Sequence, residues 1–127
     1  MANVLIDTSA WVDSFRGIPS PAAASLDRLL EEKQAVLCGM IELELLQGAK
    51  PGERAILREL LTALPYIETE RSDFQTAGEL LNGLRAKGFQ IPASDALIAA
   101  LCFRHQLSLL TLDKHFDHFH HIKKFKV

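Results

Sequence analysis

Cysteine is scarce: Cys38 and Cys102 are the only two in 127 residues. Each lies inside an apolar run, which suits core thiols in a reducing compartment better than a bridge. Excess positive charge is also lacking, since 14 Lys and Arg stand against 16 Asp and Glu, for a net charge of -2. A bulk polycation that coats nucleic acid is thereby excluded, so any polyanion must be met by a local basic patch or through metal ions. No apolar run approaches the roughly 20 residues that cross a bilayer. The amino terminus lacks the basic stretch and apolar run of a secretory signal. A cytoplasmic protein with no membrane partner is the expectation. Internal repeats and low-complexity linkers are missing as well, so residues 1–127 are expected to form a single domain.

What is present is ordinary for a globular chain: 48% hydrophobic and 24% charged residues, enough for a core without a structural metal. Val4-Leu5-Ile6 reads as a buried strand that stops at Asp7. A short helix follows from Ser9 to about Arg16, ended by Gly17 and Pro19. Ser20-Pro21 reads as N-cap and first position of a helix to about Lys33. Ala35–Cys38 is a second strand, followed by a helix from about Met40 to Gly48. Pro51 opens a helix carrying Ile56, Leu57, Leu60, Leu61 and Leu64 at helical spacing. Pro65–Glu68 gives a weak third strand. Ser72 or Asp73 starts a helix ending at Gly88, and Pro92 and Ser94 precede an apolar helix through about His105. Leu107–Leu112 is a fourth strand, and Ile122–Val127 offers a fifth. Strands alternating with helices predict an α/β fold whose mostly parallel sheet is covered on both faces.

Four carboxylates occupy matching places in this pattern. Asp7 and Asp113 each follow a strand, on the edge of a parallel sheet where ligands bind. Glu44 is flanked by Ile41 and Gly48 at i-3 and i+4 and so borders the inward face of its helix; Glu42 points away. Asp95 shares a helix face with Ile98, Ala99 and Cys102, and burying an unpaired charge beside a core stripe is expensive. Each acid also has a structural use. Asp7, with Thr8 and Ser9, suits a helix cap, and Asp95 a helix dipole. Asp113 suits a turn cap, and Glu44 a pairing with a neighbouring Arg or Lys. Together on one rim they would repel, raising their pKa values or recruiting a cation. Hard oxygen donors favour Mg²⁺ or Mn²⁺ over Zn²⁺.

Those same residues carry a family likeness. Leu5-Ile6-Asp7-Thr8-Ser9 with Trp11 resembles the opening motif of PIN-domain nucleases, and Glu44-Leu45 with Gly48 resembles their second. Asp95-Ala96-Leu97-Ile98-Ala99-Ala100 resembles the third, and Leu110-Thr111-Leu112-Asp113 with Phe116 the fourth. Order, spacing and size are similar to the VapC-type toxins of toxin–antitoxin pairs, over essentially the whole chain. The resemblance implies a three-layer fold with a sheet of about five strands. It implies a metal-dependent endoribonuclease leaving a 5′-phosphate and a 3′-hydroxyl. Asp7, Glu44, Asp95 and Asp113 would be the catalytic residues and the Mg²⁺ or Mn²⁺ ligands. Thr8, Ser9 and Thr111 would orient a carboxylate or water behind them, and Asp117 would join through a water. Implied partners are RNA, a cognate antitoxin laid across the groove, and a second copy in a homodimer. The alternative is a catalytically silent PIN-like module that binds RNA or protein. A receiver-type signalling domain fits poorly, because the mid-chain strand ends at Cys38 and not at an aspartate.

Other features have plainer readings. His115, His118, His120 and His121 fit no zinc spacing and are read as structural or solvent-exposed. Lys123, Lys124 and Lys126 suit an edge strand protected by charge. Trp11 is expected to pack beneath the first helix. Arg16, Arg85 and Lys87 sit near helix ends, where they would line a groove. The leucine stripe from Leu57 to Leu64 is core, or, where exposed, a contact for the antitoxin or a second copy.

Overall fold

The computed structural model describes residues 3–127; the first two residues of the expected 1–127 domain lie outside the described residues. Two short strands, β1 (Val4–Ile6) and β2 (Ala35–Cys38), are buried along their whole length. Both are apolar runs with no alternation, as strands covered on both faces must be. Between them run α1 (Thr8–Phe15) and α2 (Pro21–Glu31), the latter capped by Ser20, whose hydroxyl accepts from the Ala23 N–H at 3.0 Å. Then come α3 (Gly39–Gly48), α4 (Arg54–Thr62) and β3 (Tyr66–Ile67). The carboxyl-terminal half is α5 (Arg71–Ala86), α6 (Ala93–His105), β4 (Ser108–Leu110), a 3-10 turn (Lys114–His118) and β5 (Lys123–Lys124).

The strand order is β3-β2-β1-β4-β5, and all four pairings are parallel. The expected sheet of about five strands is thus present, wholly parallel, and flanked by six helices. From β1 the chain winds outward through β2 to β3, then crosses back to place β4 on the other side of β1. Right-handed crossovers put α1 to α4 on one face and α5 and α6 on the other. The reversal of winding between β1 and β4 is the topological switch point, and the crevice beyond the carboxyl ends of those strands is where such sheets take their ligands. Asp7 and Asp113 follow these two strands. Leu5 and Leu109 face each other in register and are fully buried beside it.

Several boundaries shift by a residue or two from the sequence reading, and three shifts have a local cause or consequence. The helix expected to open at Pro51 begins at Arg54, because Pro51 and Gly52 form a turn closed by the Glu53 N–H to the Lys50 carbonyl at 2.9 Å. The fourth strand ends at Leu110, before Thr111 and Leu112, whose polar contacts serve Asp7 and Ser9. The fifth strand is only Lys123–Lys124, exposed at the sheet edge, where charge discourages pairing with another chain. Trp11 is fully buried, as expected.

α5 and α6 pack antiparallel, locked where the start of one meets the end of the other. Asp73 is 1% exposed and receives Arg104 through Nε and Nη2, each at 2.7 Å. The second carboxylate oxygen also accepts the Glu70 N–H at 2.8 Å, satisfying one orphan donor of the helix start. The same guanidinium reaches the Glu68 carbonyl at 3.0 Å, tying the chain after β3 to α6. Past α5, Gly88 adopts φ +90°, and the Phe89 N–H returns to the Leu84 carbonyl at 2.9 Å. That closure turns the chain into the start of α6, which carries Asp95. Among the described residues, no helix is long and apolar enough to cross a membrane.

Candidate active site

Asp7 stands at the N-cap position of α1, yet its side chain does not cap. Instead its Oδ2 accepts from the Ser9 hydroxyl at 2.7 Å and from the Thr111 hydroxyl at 2.8 Å. These partners are neutral, and Asp7 is 5% exposed. Thr111 reaches back from the chain after β4 and also accepts the Asp113 N–H at 3.0 Å. Ser9 in turn accepts the Leu112 N–H at 2.9 Å. Asp7 N–H bonds the Leu110 carbonyl at 2.9 Å, so the ends of β1 and β4 are stitched together by backbone and hydroxyl alike. Thr8, one residue on, donates to Glu44 Oε1 at 2.7 Å and draws α3 toward the same edge. The sequence pattern favoured Glu44 over Glu42, and it is Glu44 that α3 offers to this network.

Asp95 lies in the first turn of α6 and is buried, at 8% exposure. Its Oδ2 is 3.1 Å from His115 Nδ1, which also lies 3.3 Å from Asp113 Oδ1. Asp113 holds the histidine in place, because its Oδ1 accepts the His115 N–H at 2.9 Å and starts the 3-10 turn. Burial first of all pushes the Asp95 carboxyl up to about 6; the charges of Asp113 and Asp7 add to this, and the hydrogen bond with His115 opposes it. The charges of Asp7 and Glu44 both reach the buried Cys38 thiol, whose pKa is raised mainly by burial. Asp95 thus feels the charges of Asp113 and Asp7 across the switch point.

Asp117 forms an ion pair with Lys124 of β5. His115 is the residue the sequence reading missed. It was grouped with His118, which stacks on Phe89 at 4.3 Å, and His121, edge-on to Phe103 at 5.2 Å. Those two are structural, as read. The signal that separates His115 is its place two residues after a strand-end aspartate, where an Asx turn folds it back over that carboxylate.

Glu44 also lines a cavity of about 570 Å³ between α1, α3 and α4. Its walls include Val12, Phe15, Ile56, Leu57 and Leu60, with Arg16 and Lys50 also in the lining. Leu61 is buried while Ile56 and Leu60 are exposed, so the leucine stripe is only half core. A groove-lining Arg16 agrees with the sequence reading, and Lys87 lines a second, smaller cavity beside His118.

The PIN domain family matches residues 4–122. The chain belongs to the PIN-domain family. Within it, the VapC ribonuclease Mb1587 of Mycobacterium bovis is 37% identical over 119 residues, covering 90% of this chain and 89% of the relative. Ribonuclease VapC11 of Mycobacterium tuberculosis matches to the same extent. Among solved structures, the DNA-bound VapBC of Salmonella typhimurium superposes with a TM-score of 0.80 at 17% identity over 98% of both chains. The fold is that of a VapC-type PIN domain, and Asp7 and Asp113 follow the two strands between which the strand order reverses.

Proposed function

We propose that this chain is the toxin of a toxin–antitoxin pair, an endoribonuclease that hydrolyses RNA phosphodiester bonds with Mg²⁺ or Mn²⁺ held by Asp7, Glu44, Asp95 and Asp113. The observation that carries the reading is electrostatic. Asp95 and Asp113 converge on His115, the buried Asp7 follows the neighbouring strand, and the groups that answer Asp7 and Glu44 are hydroxyls, not cations. Such a cluster is short of positive charge, and its donors suit a hard divalent ion. A bound ion would lower the pKa of a water and counter the charge that develops on the phosphodiester. The chain's own part is placement. Ser9 and Thr111 fix which Asp7 oxygen faces the crevice, and Thr8 aims Glu44. Burial of Asp95 keeps bulk water from screening the site. The relatives named as ribonucleases support RNA as the substrate.

Glu44 and Glu42, two residues apart on α3, provide a test with an internal control. Glu44→Gln is expected to lower metal-dependent RNA cleavage by about 100-fold. Glu42→Gln, on the same turn of α3, should stay within about twofold of the parent, since it lacks the Thr8 contact. Gel-resolved cleavage of a total-RNA substrate reads both; equal loss in the two variants would refute the assignment of Glu44. End-group analysis of the products is expected to show a 5′-phosphate.

The apolar groove beside Glu44 suits the antitoxin, whose segment would cover exposed Ile56 and Leu60 and approach the acids from there. Leu60→Asp should leave RNA cleavage within about twofold while raising the antitoxin concentration needed for half-inhibition by about 100-fold. Unchanged inhibition would move the antitoxin elsewhere. The expected homodimer is read by sedimentation of the purified chain.

A further inference from the structure

His115 is not one of the four motif acids, yet its ring is held against two of them. Nδ1 stands 3.1 Å from Asp95 Oδ2 and 3.3 Å from Asp113 Oδ1, and the donor atoms of all three residues fit within 4.8 Å of one another. Neighbouring ligands on an octahedral ion at about 2.1 Å are spaced by about 3.0 Å, and opposite ones by about 4.2 Å. The two measured separations are hydrogen-bond lengths in the metal-free chain, and they also match adjacent corners around one small divalent ion, which would take the place of the Nδ1 proton. The ring's surroundings point the same way. His118 and His121 pack on phenylalanine rings, whereas the partners of His115 are the two carboxylates. The Asx turn from Asp113 supplies the orientation before any ligand arrives.

We propose that His115 is itself a ligand of the divalent ion, adding an imidazole nitrogen to the oxygens of Asp95 and Asp113 and biasing the site toward Mn²⁺ over Mg²⁺. The inference rests on the reading that the acids hold a cation. It goes further by adding a nitrogen to an otherwise all-oxygen set. Nitrogen donors strengthen binding of first-row transition ions and do little for Mg²⁺, which prefers oxygen and keeps its waters. His115 thus sets which metal the site retains when both are present.

The test is Mn²⁺ titration of the purified full chain, with the bound ion examined by pulsed electron paramagnetic resonance. The parent should show one nitrogen coupled directly to Mn²⁺. His115→Ala should lose that coupling, weaken Mn²⁺ binding by about tenfold and change Mg²⁺ competition by less than about twofold. The side chain is nearly half exposed, so truncation leaves the core closed, and His115→Gln serves as a second variant that keeps a side chain of similar reach. Bound Mn²⁺ without nitrogen coupling in the parent, or with coupling unchanged in His115→Ala, would overturn the assignment of His115 while leaving the acidic site standing. No saturable Mn²⁺ binding by the parent, or binding undiminished in Asp95→Asn, would overturn the acidic site and the inference with it.

Discussion

Asp95→Asn is expected to reduce RNA cleavage by about 10³-fold or more while making the metal-free protein more stable. The two effects share one cause. In the folded chain the Asp95 carboxyl titrates near 6, against 3.8 for an unperturbed group. The raised value means that the native state holds this proton more tightly than the unfolded state does. Stability from this group is therefore full below about pH 4 and declines as the pH rises through 6. At pH 8 the ionised, buried carboxylate costs roughly 2–3 kcal/mol of folding free energy. Asparagine removes that charge, so denaturant unfolding at pH 8 in EDTA should show a gain of that order, shrinking toward zero near pH 4. A loss of stability at pH 8 would make Asp95 a structural acid, held for its helix terminus. Asp7→Asn should likewise end cleavage, since it takes away the negative charge that the Ser9 and Thr111 hydroxyls hold in place.

The largest structural effect is expected away from the acids, at Asp73. Asp73→Ala removes a two-pronged bond to Arg104 and the partner of the Glu70 N–H at once. Loss of a helix-start acceptor costs about 1 kcal/mol, and loss of charge-assisted hydrogen bonds about 1.5–3, so a total near 3 kcal/mol is expected. In thermal unfolding this is a drop of about 10 °C. The sign with pH is opposite to that of Asp95. The guanidinium of Arg104 holds the Asp73 carboxyl below its ordinary value of 3.8, so its contribution is present above that value and is lost as the pH falls below it. The difference between parent and Asp73→Ala should therefore narrow in acid. Equal stability of the two at pH 7 would mean that α5 and α6 are held by their apolar contacts alone. Arg104→Ala should destabilise too, by leaving Asp73 buried without its cation.

Much of this architecture was legible because its signals are local. Val4-Leu5-Ile6 and Ala35–Cys38 are short apolar runs with polar stops, and both became central strands. The face argument for Glu44 needed only helical spacing. Where the sequence reading drifted, the deciding partner was distant in the chain. Thr111 and Leu112 look like strand, but the strand ends at Leu110, with their polar groups committed to Asp7 and Ser9 more than 100 residues earlier. Asp117 pairs with Lys124, a partner that its local sequence does not reveal. His115 sits in a run of histidines whose spacing matches no metal pattern; only the turn started by Asp113 shows that one ring differs from the rest. The half-exposed leucine stripe of α4 has the same lesson. Periodicity places Leu57, Leu60 and Leu61 on one side, but which of them the core covers depends on how α3 packs.

The most direct test of the central claim is metal add-back on the purified chain. Protein stripped with EDTA is incubated with RNA, alone and with rising Mg²⁺ or Mn²⁺, beside Asp95→Asn treated in the same way. No cleavage is expected in EDTA, with saturable recovery on adding either ion and none in the variant at any concentration. Cleavage that persists in EDTA, or that Asp95→Asn retains in full, would contradict a reaction carried by a divalent ion among these four carboxylates.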